Sequence, residues 1–333
     1  MRTITLQEPG RFVSGTDDIR MPAAGEALVR IHRIGICGTD LHAFDGQQPF
    51  FSYPRILGHE LGAEIIDVPA GGHGLHRGDR CAIEPYLSCG RCRVCRLGRY
   101  NCCEDLKVLG VHTDGGMRGL MTVPVERLHP STRLTFEQLA LVETLGIGAH
   151  AVQRSGLQKD EAVLVLGAGP IGLAVVQFAL LAGGRVRVVD ISLERRMFVV
   201  RLGVETLAEP DGKLADVVFD ATGNRAAMEA SFNLVAHGGR IVLVGLVQGK
   251  ISFEDPLLHR RELTILGTRN SCHEFPRIIQ MIESGQLDTS PWISHRLSLA
   301  EVPHKFAGLR KERGLVKAMI EVSEADASWE WGH

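Results

Sequence analysis

The chain has 333 residues, of which 44% are hydrophobic and 38 are glycine, more than one compact core usually holds, so two domains are expected. A formal net charge of −2 gives no broad attraction to nucleic acid or an anionic membrane surface, and no run approaches the roughly 18 uninterrupted apolar residues of a membrane span. The first residues lack the apolar stretch of a secretory signal, and eight cysteines, five of them in one loop, fit a reducing compartment, so a cytoplasmic protein is expected.

Up to about residue 145 short apolar runs alternate with Gly and Pro. Segments 27–34, 63–68 and 79–84 read as strands of a β-rich domain carrying long loops. Within it stand Cys37 in GICGTDLH and the pair His59 and Glu60 in GHELG. Each has an ordinary explanation, a small buried thiol for the first and hydrogen-bonded polar groups for the others, and spacing alone does not assemble them.

The next segment is far more specific. CGRCRVCRLGRYNCC holds Cys89, Cys92 and Cys95 at two-residue intervals, then Cys102 and Cys103. Such spacing lets several thiolates meet one ion without straining the backbone, and zinc favours four of them at tetrahedral corners. Cys102 or Cys103 is the fourth ligand. A fully thiolate site has no open position, so this zinc is structural. Two disulfides would require an oxidising compartment that nothing else in the chain supports.

A helix over 136–152, carrying Glu143 in LVETLGIGAH, bridges to a second texture. From residue 162, AVLVL, RVRVVD, DVVFDATG and GRIVLVG are β-branched runs separated by the helix-length segments 173–182, 193–202 and 226–235. This alternation predicts βαβ units and a doubly wound parallel sheet, an α/β fold. Gly167, Gly169 and Gly172 form GxGxxG, enclosing Pro170 and Ile171, directly after a strand and at the start of a helix. Such a turn admits a pyrophosphate to the helix N-terminus. Asp190 ends the next strand 18 residues past Gly172, where its carboxylate accepts the ribose hydroxyls and repels a 2′-phosphate. Residues 191–193 offer no basic partner for such a phosphate, so NAD is expected. Helix 275–284 and strand 263–267 are read as finishing this domain. Beyond about residue 290 one helix, 301–309, and one strand, 316–321, return to complete the first domain. The tail ASWEWGH reads as a poorly ordered end or an oligomer contact.

GICGTDLH, PRILGHE, the CGRCRVC loop, VETLGIGAHAV and GAGPIG with its later Asp together resemble the zinc-containing alcohol dehydrogenases of the medium-chain dehydrogenase/reductase family over nearly the whole chain. The resemblance implies a GroES-like catalytic domain over 1–148, a Rossmann domain over 149–290, and a return over 291–333. It implies two zinc ions per chain. Cys37, His59 and Glu143 match ligands of a catalytic zinc, Glu60 matches an acid that ligates it or displaces its water, and Cys103 completes the structural site with Cys89, Cys92 and Cys95. Thr39 resembles the hydroxyl residue that takes the alcohol proton, His42 the relay histidine, and Asp40 the carboxylate that orients the ligand histidine. A homotetramer or homodimer is implied as well.

Within the family, GTDLHAFDGQQPFFSYPRILGHELG, NCCEDLKVLGVHTDGG and LGTRNS are most similar to bacterial polyol and sugar-acid dehydrogenases of the galactonate, gulonate and idonate type. The implied reaction oxidises a secondary alcohol to a ketone and passes hydride to NAD. Glu143 and Arg269 are the implied substrate contacts. One departure lies after GVHTDGG, where MRGLMTVP lacks an aromatic that relatives usually carry. Alternatives are a threonine 3-dehydrogenase-like or simple secondary alcohol dehydrogenase, a catalytically silent dinucleotide-binding relative, and a zinc-ribbon nucleic-acid module. The last is disfavoured because the arginines around Cys92 stand without a wider basic face.

Overall fold

The computed structural model describes residues 1–49, 51–69, 72, 74–312 and 314–328. Most of the ASWEWGH tail, from residue 329, lies outside them. The chain divides into two compact units, Met1–Glu143 with Phe275–His333, and Thr144–Glu274.

The first unit is built on strand Glu26–Gly35. It is paired by Glu60–Asp67, Lys317–Glu321 and Leu120–Pro124 in a seven-stranded sheet that runs from Leu128–Pro130 to Ile293–Ser298. Ala27, Leu28, Val29, Ile31 and Ile34 are all buried, a near-continuous apolar run because this strand is covered on both faces. The expected strands appear as Glu26–Gly35, Glu60–Asp67 and Arg80–Ile83. A three-stranded sheet of Arg11–Thr16, Arg2–Glu8 and Arg55–Ile56 packs its Ile4, Leu6 and Phe12 into the same core.

The C-terminal segment joins this unit at two levels. Strand Lys317–Glu321 pairs antiparallel with Glu26–Gly35 and parallel with Ile293–Ser298. Phe306 packs its ring 5.0 Å from Phe12 and 5.3 Å from Phe44. Strand Ile293–Ser298 escaped the sequence reading because ISHRLS buries only Leu297 fully. The helix expected over 301–309 is broken into Val302–Lys305 and a 3₁₀ stretch Phe306–Lys311. Helix Phe275–Glu283, expected to close the second domain, groups with the first unit instead. Its stripe of Phe275, Ile278, Ile279 and Ile282 is buried there, with the Phe275 ring 5.0 Å from His129.

In the second unit six parallel strands run in the order Glu205–Leu207, Arg185–Val189, Ala162–Leu166, Ala215–Asp220, Val235–Leu243, Thr264–Gly267. This is the Rossmann order, reversing direction beside the first strand. Val163, Leu164, Val165, Val217 and Val218 are buried with no polar alternation, as a parallel sheet covered on both faces requires. Helices Pro170–Leu181, Leu193–Val200 and Arg225–Ser231 follow strands Ala162–Leu166, Arg185–Val189 and Ala215–Asp220. The third is shorter than expected, since strand Val235–Leu243 has begun by residue 235. Among the described residues no helix is long and apolar enough to cross a membrane.

Because Phe306 is 1% exposed, Phe306→Ala should lower the unfolding free energy by about 3–5 kcal/mol. Urea denaturation followed by fluorescence measures this; an unchanged midpoint would mean the returning segment contributes nothing to the core.

Candidate metal centres and dinucleotide turn

Strand pairing assembles the first centre. Glu26–Gly35 and Glu60–Asp67 run antiparallel with Gly35 opposite Glu60. Cys37, two residues beyond the end of one strand, therefore stands beside His59 and Glu60 at the start of the other. The ligand atoms of Cys37, His59 and Glu60 lie within 4.8 Å of one another. His59 is 5% exposed and Glu60 fully buried. Asp40 caps the turn, its Oδ2 accepting the Cys37 N–H at 2.9 Å. Its Oδ1 lies 3.8 Å from His59 Nδ1, and neither of these two buried atoms has a hydrogen-bond partner. Burial works to lower the His59 pKa, but the charges of Asp40 and Cys37 win and raise it well above the usual histidine value. The imidazole thus sits where the protein favours positive charge.

Such a donor set fits zinc. Sulfur, nitrogen and oxygen donors 2.0–2.3 Å from one tetrahedral ion lie roughly 3–4 Å apart, a spacing this cluster accommodates. A cation would also answer the excess of negative groups that raises His59.

Glu60 has a second partner that sequence reasoning missed. Lys317 Nζ donates to its two carboxylate oxygens at 2.6 and 2.7 Å and to Ile36 O at 3.3 Å. Lys317 is 1% exposed. The pair forms across Gly35, whose strand lies between those of Glu60 and Lys317. A Cβ on Gly35 would sit 2.0 Å from Glu60 Oε2, so only glycine leaves room for the carboxylate. A lone lysine in an apolar C-terminal strand carries no signal that would have found it.

Glu143, on helix Phe136–Ser155, is brought near but falls outside the three-residue set. It is buried, and the Tyr86 hydroxyl donates to its carboxylate. Burial raises its pKa against the opposing charge of His59. Thr39 and His42 lie on the short helix Gly38–Phe44 that Cys37 caps. Surrounding protein and then the Arg310 guanidinium hold the His42 pKa below its usual value. Arg269, in the second unit, is exposed on the loop after strand Thr264–Gly267.

The second centre gathers Cys89, Cys92, Cys95 and Cys103, whose sulfurs lie within 4.8 Å of one another, while Cys102 stays outside. The backbone prepares it for thiolates. Cys89 N–H points at Cys103 Sγ at 3.3 Å, and Cys92 N–H at Cys89 Sγ at 3.4 Å. Backbone N–H groups of Glu104 and Cys95 lower the Cys92 pKa to about 6. Cys95 is pushed up to about 12 by desolvation and the neighbouring Cys92 and Cys103 sulfurs. Four thiolates this close repel one another unless a cation neutralises them, so the donor chemistry fits zinc here too. Arg127 fastens the loop, donating to Ser88 Oγ at 3.0 Å with its guanidinium 5.0 Å from the Tyr100 ring centroid. Of the remaining thiols, Cys81 lies in strand Arg80–Ile83 and burial raises it to about 12.

In the second unit the glycine turn links strand Ala162–Leu166 to helix Pro170–Leu181, which Gly169 caps and Pro170 begins. Gly167 has φ +92°, and a Cβ on Gly172 would lie 1.8 Å from Gly167 O, so the turn admits no side chain at either. Asp190 Oδ2 accepts the Ala168 N–H and Oδ1 the Ser192 N–H, both at 2.7 Å. A carboxylate offers about four lone-pair sites, leaving two for ribose hydroxyls. Residues 191–193 carry no basic group, but the next two arginines come back to Asp190. Helix Leu193–Val200 turns Arg195 back to within 3.8 Å of Asp190 Oδ2, and Arg196 donates to Asp190 O at 2.6 Å.

Residues 23–133 match the family model for the alcohol dehydrogenase GroES-like domain, and residues 170–284 that for the zinc-binding dehydrogenases. The chain is 39% identical to L-galactonate-5-dehydrogenase of Escherichia coli K12 over 96% of its own length and 98% of the relative's. It superposes with a TM-score of 0.91 on a short chain alcohol dehydrogenase (rspB) of Escherichia coli CFT073 complexed with NADH, at 27% identity, covering 96% of this chain and 99% of that one. A putative zinc-binding dehydrogenase of Sinorhizobium meliloti 1021 bound to NADP gives 0.89 at 29% identity, covering 96% and 98%.

The two neighbouring cysteines of the loop should separate cleanly. Cys103→Ser should remove one zinc per chain by elemental analysis and lower Tm, whereas Cys102→Ser should leave both unchanged. Equal effects from the two would dismiss the four-sulfur assignment.

Proposed function

The chain belongs to the zinc-type alcohol dehydrogenases of the medium-chain dehydrogenase/reductase family, and we propose that within it the enzyme oxidises a secondary alcohol of a sugar acid or polyol to a ketone, passing hydride to NAD. The observation that carries this reading is the cluster of the half-buried Cys37 thiol with the buried His59 imidazole and Glu60 carboxylate. They accompany 39% identity to a galactonate dehydrogenase. A mixed set of three protein ligands leaves zinc an open position for substrate.

Cys37 and His59 would hold the zinc, with Glu60 as an adjustable third ligand. Glu143 stands beside this set as a buried acceptor for a neighbouring substrate hydroxyl, and Arg269 is the proposed partner of the substrate carboxylate. When bound, zinc supplies Lewis acidity; for water it lowers the pKa from about 15.7 to about 7, roughly 12 kcal/mol of differential stabilisation. Thr39 receives the substrate proton and His42 passes it to solvent. Gly167, Gly169, Pro170, Ile171 and Gly172 form the pyrophosphate turn, and Asp190 holds the adenosine ribose. Asp190 favours NAD; Arg195 and Arg196 are the groups that an added 2′-phosphate would meet, so NADP belongs in the same assay.

The test is turnover by the purified zinc-loaded enzyme with NAD or NADP and a panel of aldonates, polyols, threonine and 2-butanol. Preference for an aldonate or polyol with NAD supports the proposal; preference for threonine or 2-butanol replaces its substrate class. Cys37→Ser should abolish turnover yet leave NADH binding measurable by fluorescence. Retained turnover removes Cys37 from the reaction.

A lowered His42 pKa keeps its neutral, proton-accepting form present to lower pH than an ordinary histidine does. The acidic limb of kcat/KM should therefore fall below the usual histidine value of about 6.5. His42→Gln should lower kcat about 10²-fold and erase that limb. An unaltered profile excludes the relay.

A further inference from the structure

The Glu60 carboxylate stands between two claims. On one side its oxygen lies within 4.8 Å of the donor atoms of Cys37 and His59. On the other, both oxygens accept from Lys317 Nζ at 2.6 and 2.7 Å. Strand register enforces this. Gly35 is opposite Glu60 in one ladder and opposite Met319 in the other, and the Lys317 ammonium meets the carboxylate across the space that Gly35 leaves empty. Ile36 O fixes the ammonium from a third side at 3.3 Å. Both side chains are essentially sealed from water, so solvent does not compete and the choice open to the carboxylate is between the ammonium and a metal ion.

We propose that Lys317 is a positioning residue that holds Glu60 off the zinc and so sets how firmly the carboxylate ligates the ion, keeping a coordination position available to a substrate hydroxyl. This rests on the reading of Cys37, His59 and Glu60 as a zinc site. An ammonium placed symmetrically on both oxygens withdraws charge from the carboxylate and opposes a second cation at the same atoms. Without it, no ammonium competes with zinc for the buried carboxylate. Glu60 then becomes a permanent ligand, the ion is held more tightly, and substrate must displace a stronger competitor. Lys317 touches neither ion nor substrate; it acts through Glu60 alone.

The experiment compares wild type, Lys317→Met, Lys317→Gln, Lys317→Arg and Glu60→Gln, with each Lys317 substitution also made in the Glu60→Gln background. Release of catalytic zinc to a chelator is timed, and the visible spectrum of the cobalt-substituted enzyme is recorded. In Lys317→Met and Lys317→Gln, zinc release should slow about tenfold or more, within the range by which outer groups tune metal sites. The cobalt spectrum should shift, and KM should rise more than kcat falls. Lys317→Arg should restore wild-type values. In the Glu60→Gln background the Lys317 substitutions should leave release and spectrum nearly unchanged. Should Lys317→Met fail to fold, Lys317→Gln gives the same reading with a neutral hydrogen-bonding side chain. Unaltered release and spectrum in the Lys317 variants overturn the proposal, as does an equal change with and without Glu60. If instead Cys37→Ser leaves two zinc ions per chain by elemental analysis, the zinc-site reading itself fails.

Discussion

Burying charge is expensive, and the first unit does so at one place repeatedly. Glu60, Asp40 and Glu143 are buried within reach of one another's fields, together with His59 and Lys317. An isolated carboxylate in such surroundings would protonate. Burial raises Asp40 and Glu143 above the usual carboxylate range, and the charges of His59 and Lys317 oppose it. Lys317 on Glu60 is the shortest link in that set. Its arrangement explains why Gly35 lies at the crossing of three strands, where any side chain would evict the carboxylate.

The two metal centres use the same elements for opposite ends. In the four-sulfur loop every ligand is a thiol and backbone N–H groups stabilise the thiolate form. Nothing there is left for a substrate to claim, and the loop is anchored through Arg127 to Ser88 and the Tyr100 ring. In the mixed centre the ligands come from the start of one strand and the helix cap just past its paired neighbour, so the centre inherits the stiffness of the sheet. A carboxylate with an alternative partner replaces one of the thiols. One centre is a staple; the other has an adjustable ligand.

How much of this was legible depended on whether the signal was local. The cysteine spacing of residues 89–103 and the glycines of 167–172 announce their chemistry within a few residues, and the structure gathers each as read. Cys37 lies 22 and 23 residues before His59 and Glu60, and only resemblance joined it to them in the sequence; strand register joins them in space. Lys317 was invisible, because its meaning depends on pairing with a strand nearly 300 residues earlier. Arg195 was missed for a smaller reason. Three residues past Asp190 were weighed, whereas a helical turn returns the fifth beside its carboxylate. Strand Ile293–Ser298 was missed because its polar residues carry no period-two pattern, and helix Phe275–Glu283 was assigned by proximity in sequence rather than by what its apolar stripe covers.

The placement of strand Lys317–Glu321 also orders events during synthesis. The second unit is one uninterrupted stretch, Thr144–Glu274, and has all its strands once the ribosome has released them. The first unit is discontinuous, and its central strand waits for a neighbour encoded after the whole second unit. Until that strand is made, Glu60 lacks the ammonium of Lys317. Contacts of such sequence separation form slowly because the closure entropy must be met first. The first unit is therefore a late assembler, and its glutamate acquires its ammonium partner only when strand Lys317–Glu321 is free to pair.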